Sequence, residues 1–239
     1  MSTQDFHKLS EAILAGHLAF DPGNALCLGL HEYAGQVPRR SQEAIHSRLA
    51  TIDQQVKALD QIDSAALSDH DRFDWHLLRY GLISDRYELA ERRTPFAYPD
   101  RLFALLEHVE MTYLARAYAP LSERLRHVTQ YLEGTPELVS DIQASLDPVL
   151  GKPLVDATLE IGPGLVAYLE EGLPQEAAAC DDQKVRADLD KARLAALEAV
   201  KSYLAWLETE HLPKAADDWR LGEARFARML ADTELVEMP

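Results

Sequence analysis

Apolar residues recur three and four positions apart along almost the whole chain, and no stretch keeps the two-residue alternation of a half-buried strand. The pattern predicts an all-α protein, a multi-helix array of long antiparallel helices and short proline-punctuated helices with no sheet. Its clearest stripe is Ile45, Leu49, Ile52, Val56 and Leu59, on one face between Ser41, a candidate N-cap, and Asp63. A second helix is expected from Ser68, where Ser68-Asp69-His70-Asp71 approximates a capping box with aspartate replacing glutamate. It runs through Phe73, Leu77, Leu78 and Tyr87 to a stop at Thr94-Pro95, since the residue before a proline avoids the helical region.

Proline then punctuates the middle of the chain. Pro95, Pro99, Pro120, Pro136, Pro148, Pro153 and Pro163 are expected to cut residues 95–165 into short helices, several of these prolines standing at first helical positions. Gly162-Pro163-Gly164 lies inside the apolar pattern from Leu154 to Leu169 and predicts a kink or a genuine break. From Asp181 or Asp182 the series Val185, Leu189, Ala196, Val200, Tyr203, Leu204, Leu207 continues to His211. That is about thirty residues, or roughly 45 Å of helix. Leu212-Pro213 ends it, and a shorter helix carrying Trp219, Phe226 and Met229 follows. The chain reads as a single all-α domain over 1–239, with a soft boundary near residues 94–99 as the only candidate division.

Composition narrows the class. A chain of 239 residues can bury a core without disulfides or metals, and a formal charge of −16 repels phosphate backbones and anionic membranes, so neither nucleic acid nor a membrane is an expected partner. Asp5, Lys8 and Glu11 interrupt the first twenty residues and no later run approaches a membrane span, which reads as a cytoplasmic protein. Cys27 and Cys180 are isolated from each other in sequence and are expected to be reduced, packed as small apolar side chains.

No motif assigns catalytic or metal-binding residues. His31-Glu32 begins a zincin-like His-Glu-x-x-His, but position 35 is Gly35 and the second imidazole is missing, which favours a surface or capping role. Glu43 and His46 form the Glu-x-x-His pair of carboxylate-bridged bundles, with Glu107 and Glu110 as conceivable further carboxylates. A second copy is absent, so a solvated helix face is the better reading. His17, His76, His108 and His127 would make a site only if the fold brought them together. Gly-x-Ser-x-Gly, a phosphate loop and Cys-x-x-Cys are all absent. The aromatic residues Phe73, Trp75, Tyr80, Tyr87, Phe96, Tyr98, Phe103, Tyr113 and Tyr118 crowd the middle third. Most are expected in the core, with Phe96 and Tyr98 as candidates to line a peptide groove.

Two stretches carry a family resemblance: Trp219-Arg220-Leu221-Gly222-Glu223-Ala224-Arg225-Phe226-Ala227-Arg228-Met229-Leu230 after His211-Leu212-Pro213, and Asp21-Pro22-Gly23 through Leu28-Gly29-Leu30-His31-Glu32-Tyr33. With the span Leu67-Ser68 to Leu77-Leu78, they resemble the bacterial family called domain of unknown function 885, large helical proteins similar to zinc metallopeptidases. The resemblance implies an amino-terminal half, forming part of a peptide-binding cleft and non-catalytic alone. The family's zinc segment, a His-Glu pair running into Pro-Gly-His-His, has no counterpart here, so no cofactor is expected in this chain and zinc only in a full-length member. It also implies hydrolysis of a peptide-like bond by zinc-activated water, and suggests that Arg220 and Arg225 could meet a substrate carboxylate, surface ion pairs with Glu223 being the plainer alternative. The competing reading is a stand-alone helical interaction module; a weaker one is a bundle with its own carboxylate-histidine metal site. If a carboxy-terminal half is missing, then Leu204, Leu207, Trp219, Phe226 and Met229 should include residues left exposed, and self-association is expected.

Overall fold

The structure, a computed structural model, describes residues 3–236, apart from the side chains of residues 104–106. The protein is all-α: 78% of it is helical and no strand is present among the described residues. The chain divides into two compact units, one made of Met1–Phe20, Gln42–Thr94 and Arg220–Pro239, the other of Asp21–Ser41 and Pro95–Trp219.

The first unit packs α1 (Thr3–Phe20), α3 (Gln42–Asp60), α4 (Asp69–Arg86) and α11 (Glu223–Thr233). Ile45, Ile52 and Leu59 are buried on α3 as the stripe requires, with Phe6 and Ile13 of α1 and Leu82 of α4. Ion pairs fix the directions: Arg79 reaches Asp60 at 2.8 Å and Arg86 reaches Asp53 at 2.8 Å, so α3 and α4 are antiparallel. His7 meets Asp71 at 2.8 Å and His17 meets Asp85 at 3.1 Å, so α1 runs with α4. Ser68 caps α4 with its hydroxyl, accepting the Asp71 N–H at 3.1 Å and donating to the Asp71 carboxylate at 2.8 Å. The buried line of α4 differs from the expected one. Phe73 and Leu77 point outward at 61% and 51% exposure, while the Trp75 indole donates to the Leu59 carbonyl at 3.0 Å. Helix α4 widens into a π turn, Tyr87–Glu91, and ends where Arg93 takes a φ of 58°; Thr94-Pro95 opens the next helix and does not close this one.

The sequence stripe did not foresee one core residue. Arg48 is buried on α3, bonded to Asp85 at 3.1 Å, with its cation 5.7 Å from the Phe20 ring. Gly16 lies beside it, where a methyl group would stand in ordinary contact at 3.4 Å from the Arg48 guanidinium.

The second unit comprises α2 (Pro22–Cys27), α6 (Arg101–His108), α7 (Leu121–Ser145), α8 (Lys152–Ala167), α9 (Leu173–Ala177) and α10 (Gln183–Trp206), and the short α5 (Thr94–Ala97) begins at its edge. Its centre is the contact of α7 with α10. Leu125, Val128, Leu132, Val139 and Ile142 face Val185, Leu189, Ala196, Val200 and Tyr203, all buried. These two helices run in the same direction: Arg126 near the start of α7 pairs with Asp182, the N-cap of α10, at 3.1 Å. Beyond their far ends, Lys152 N–H donates to the Ala216 carbonyl and Ala216 N–H to the Leu150 carbonyl, both at 2.8 Å. Helix α8 carries the chain back between them, antiparallel to α10, with Gly162 against Leu204 and the Leu169 carbonyl accepting from Arg193 at 2.9 Å.

Two proline expectations are corrected here. Pro136 lies inside the unbroken 25-residue α7 and Pro163 inside α8, so neither cuts its helix. An interior proline costs about 3 kcal/mol, which the burial of the flanking stripe outweighs. Pro153 does stand in a first turn as expected, and Pro22 and Pro174, for which no such position was read, stand in first turns too. Asp182 caps α10 by accepting from Lys184 and Val185 N–H, and a π turn, Leu207–His211, carries the helix to the expected end. Of the five apolar residues among which exposed ones were expected, Leu207 is fully buried, whereas Trp219 at 50% and Phe226 at 46% are exposed. Trp219 lies in the connection before α11 and not on that helix.

After the turn at Gly35, residues 36–41 run along α7 without helix or strand structure. Gly134 lets Val37 approach: a Cβ at 134 would come 2.6 Å from Val37 Cγ2. Further along, Arg40 N–H donates to the Asp141 carboxylate at 3.3 Å and Ser145 Oγ donates to the Arg40 carbonyl at 2.9 Å. This placement is testable with one substitution at two helical sites. Gly81→Ala on α4, where a methyl group meets nothing within 4 Å, should gain up to ~1 kcal/mol from helix propensity. Gly134→Ala should instead lose about 1 kcal/mol net, because overpacking costs ~1–3 kcal/mol. Urea unfolding of both variants decides; equal shifts of the same sign would refute the close approach.

Candidate functional site

Pro22 at the first helical position and the Asp21 carboxylate, which accepts the Asn24 N–H at 3.2 Å, start the six-residue α2. Gly29, at a φ of 90°, ends it, with Leu30 N–H donating to the Ala25 carbonyl at 3.1 Å. A single 3₁₀ turn, His31–Tyr33, follows, and Gly35 at a φ of 79° donates its N–H to the Tyr113 hydroxyl at 2.7 Å. The result is that His31 stands over the start of α7.

The opposite side of this place is built by the end of α6. That helix widens into a π turn, Val109–Leu114, whose terminal carbonyls have no helical partner. Arg124 supplies one: its guanidinium donates to the carbonyls of Tyr113 at 3.1 Å, Leu114 at 2.7 Å and Ala119 at 2.9 Å. The loop so held presents Tyr118. Its ring lies under His31, centroids 4.1 Å apart and planes within 9°, and nearly parallel to His127, with planes within 5°. The Tyr118 hydroxyl is 3.1 Å from His127 Nδ1. Tyr113 lies behind them, tilted against both His127 and Tyr131.

The electrostatics hold both groups uncharged. Burial raises the Tyr118 hydroxyl above its ordinary value, opposed by the Arg124 cation, and burial lowers His127, opposed by Glu123. Near neutral pH Tyr118 therefore keeps its proton and His127 is neutral, and the imidazole tautomer sets which of the two donates across their 3.1 Å contact. Burial pushes Tyr113 up to about 12. The arrangement is a shelf of three nearly parallel rings with an exposed imidazole on top. It can stack a planar or aromatic group and offer neutral hydrogen-bonding groups beside it.

A second cluster stands where α2 meets α6. Cys27 Sγ is 3.3 Å from Thr112 Oγ1 and 3.7 Å from His108 Nδ1, and Arg116 donates to the Cys27 carbonyl at 2.7 Å. Gly23 abuts the His108 ring so closely that a Cβ would come 2.5 Å from it. Cys180 is buried, and neither cysteine is in a disulfide.

The other sequence candidates are dispersed. Glu43 and His46 are exposed on α3, Glu107 is exposed on α6 and Glu110 in the π turn after it, His17 is bonded to Asp85, and His76 packs edge-on to Trp75. His108 and His127 belong to the two separate clusters above. Among the described residues no three His, Cys, Asp or Glu side chains come together as a metal site. The zinc implied by the family resemblance thus finds no fitting ligand set in them. Phe96 is buried, so it lines no groove, and its carbonyl accepts the Asp147 N–H at 2.8 Å; Tyr98 is half-buried. Arg220 and Arg225 are exposed. The pairing of His31 with Tyr118 was missed in the sequence because 87 positions separate the two rings; Gly29 and Gly35, the glycines that shape the turn, were its only signal.

A pH test follows from His127. Because its folded value is lowered, the unfolded state takes up protons first, and stability present above about pH 6.5 is lost as the pH falls through the unfolded value toward the folded one. The stability difference between wild type and His127→Gln, from urea titrations, should shrink between about pH 7.5 and 5.5. A difference independent of pH would show that His127 is not held neutral.

No curated protein matches the chain. In fold it is similar to a solved structure described as "a putative lipoprotein of unknown function from Shewanella oneidensis", at 19% identity and a TM-score of 0.82. The likeness covers 95% of this chain and 42% of that one, so the chain spans less than half the length of its structural relative. No helix among the described residues is long and apolar enough to cross a membrane. Residues 22–239 match the model of the family described as "Bacterial protein of unknown function (DUF885)", and the chain belongs to that family.

Proposed function

We propose that this chain is the substrate-facing helical part of a metallopeptidase-like protein, contacting an extended peptide through the shelf of His31, Tyr118 and His127. The observation that carries the reading is the exposed His31 ring stacked on Tyr118, beside a neutral imidazole and a protonated hydroxyl. Such a surface suits planar peptide groups and aromatic side chains better than charged ones. The resemblance to zinc metallopeptidases supports peptide as the ligand class, and the length of the structural relative agrees with this fold acting as part of a larger helical protein. Metal-assisted hydrolysis would belong to ligands other than the described residues, and none of its steps is assigned to this chain.

The test is binding without turnover. Fluorescence anisotropy should show saturable binding of unstructured peptides containing aromatic residues. His31→Ala should weaken it about three- to tenfold, as expected for an aromatic contact of ~0.5–1.5 kcal/mol. Tyr118→Phe, which keeps the ring and removes the donor, should weaken it less. Absence of peptide binding, or equal affinity in the His31→Ala variant, would favour the stand-alone interaction module, for which Phe73 and Leu77 on α4 are among the exposed apolar residues.

A further inference from the structure

A groove of 330 Å³ lies between α9 and the first half of α10. One wall is apolar, made by Pro174, Ala177 and Ala178, and the other carries Arg186, Asp190 and Arg193. The two arginines are seven residues apart on one helix, so they share a face about two turns, or ~10.5 Å, apart. Their states differ. Arg193 is fully engaged: it donates to the Leu169 carbonyl at 2.9 Å and, through Nε at 3.0 Å and Nη2, to the Asp190 carboxylate. The Asp190 charge is thereby paired, its Oδ1 accepting both bonds from Arg193. Arg186 has no such partner. Its Nε is buried without an acceptor, and its guanidinium makes no hydrogen bond or ion pair among the described residues.

A desolvated N–H of a permanent cation, lacking an acceptor and lining a groove, is an unusual arrangement that calls for an anionic partner. The volume lies at the lower end of small-ligand sites, and the apolar wall favours a compact hydrocarbon group beside the charge.

We propose that this groove binds a carboxylate that bears a small apolar substituent, the carboxylate on Arg186 and the substituent against Pro174, Ala177 and Ala178. The terminal residue of a peptide and a free aliphatic acid share this chemistry. The inference is independent of the peptide shelf, because it uses none of its residues and is read with different probes.

The experiment is a nuclear magnetic resonance titration of the full chain with N-acetyl-leucine, N-acetyl-leucine amide and hexanoate. N-acetyl-leucine should saturate with a dissociation constant on the order of millimolar, as its ~12 non-hydrogen atoms permit. Replacing its carboxylate by the amide should weaken binding about tenfold or more, and Arg186→Gln should do the same to N-acetyl-leucine. Hexanoate binding equally well points to free acids; its failure beside N-acetyl-leucine binding points to peptide termini. Either outcome supports the site. No saturation by either acid at tens of millimolar, equal affinity for acid and amide, or full retention by a folded Arg186→Gln variant overturns it. Should that variant fail to fold, the acid-against-amide comparison on the wild type still decides.

Discussion

Leu125, Val128, Leu132, Val139 and Ile142 form one buried stripe on α7, and α10 covers it with Val185, Leu189, Ala196, Val200 and Tyr203. Burying a large aliphatic side chain contributes about 1.5–3 kcal/mol, so the stripe can hold a proline inside α7 and still keep the helix whole. It also sets direction. Because α8 must return the chain, α7 and α10 lie parallel, with their starts joined by Arg126 and Asp182 and the segments beyond their ends joined at Leu150–Lys152 and Ala216. The α9–α10 groove rests on this frame, since the buried side of α10 is committed to α7 and only its flank faces α9.

The segment of residues 21–41 uses α7 as a track. Small residues set the distance, Gly134 beneath Val37 and Gly35 beside Gln130 and under the Tyr113 hydroxyl. At the other end Asp141 and Ser145 take the Arg40 backbone. With both ends held, the turn at His31–Tyr33 has little freedom, and the His31 ring is placed on Tyr118 by backbone bonds rather than by its own contacts. The shelf is therefore a consequence of how the segment docks on α7.

Three arginines show how the same side chain serves different ends. Arg124 spends its planar fork on three carbonyls and so closes the π turn after α6. Arg48 sits in a hydrophobic interior with a single carboxylate partner and an aromatic face. Arg48 leaves Nε and Nη1 buried without an acceptor but is anchored through Nη2 on Asp85, whereas the Arg186 guanidinium has a buried Nε and no acceptor at all among the described residues, and this difference singles out its groove. Burial alone does not distinguish the three; the acceptor inventory does.

The sequence by itself determined the helical class, the long helix from Asp182 to His211, the Ser68 cap and the stripe on α3, because each is a local pattern read within one or a few turns. It did not determine whether Pro136 and Pro163 end their helices, which face of α4 is buried, or that Leu207 is interior. Those outcomes depend on what packs opposite, and the partner lies tens of residues away. The candidate sites were illegible for the same reason. His127 and His31 were visible as histidines, but only the fold places Tyr118 between them, and nothing local to Arg186 shows that its guanidinium lacks a partner. Secondary structure follows from neighbours along the chain, whereas stacking, orphaned donors and grooves are properties of residues brought together from a distance, and tertiary packing alone decides them.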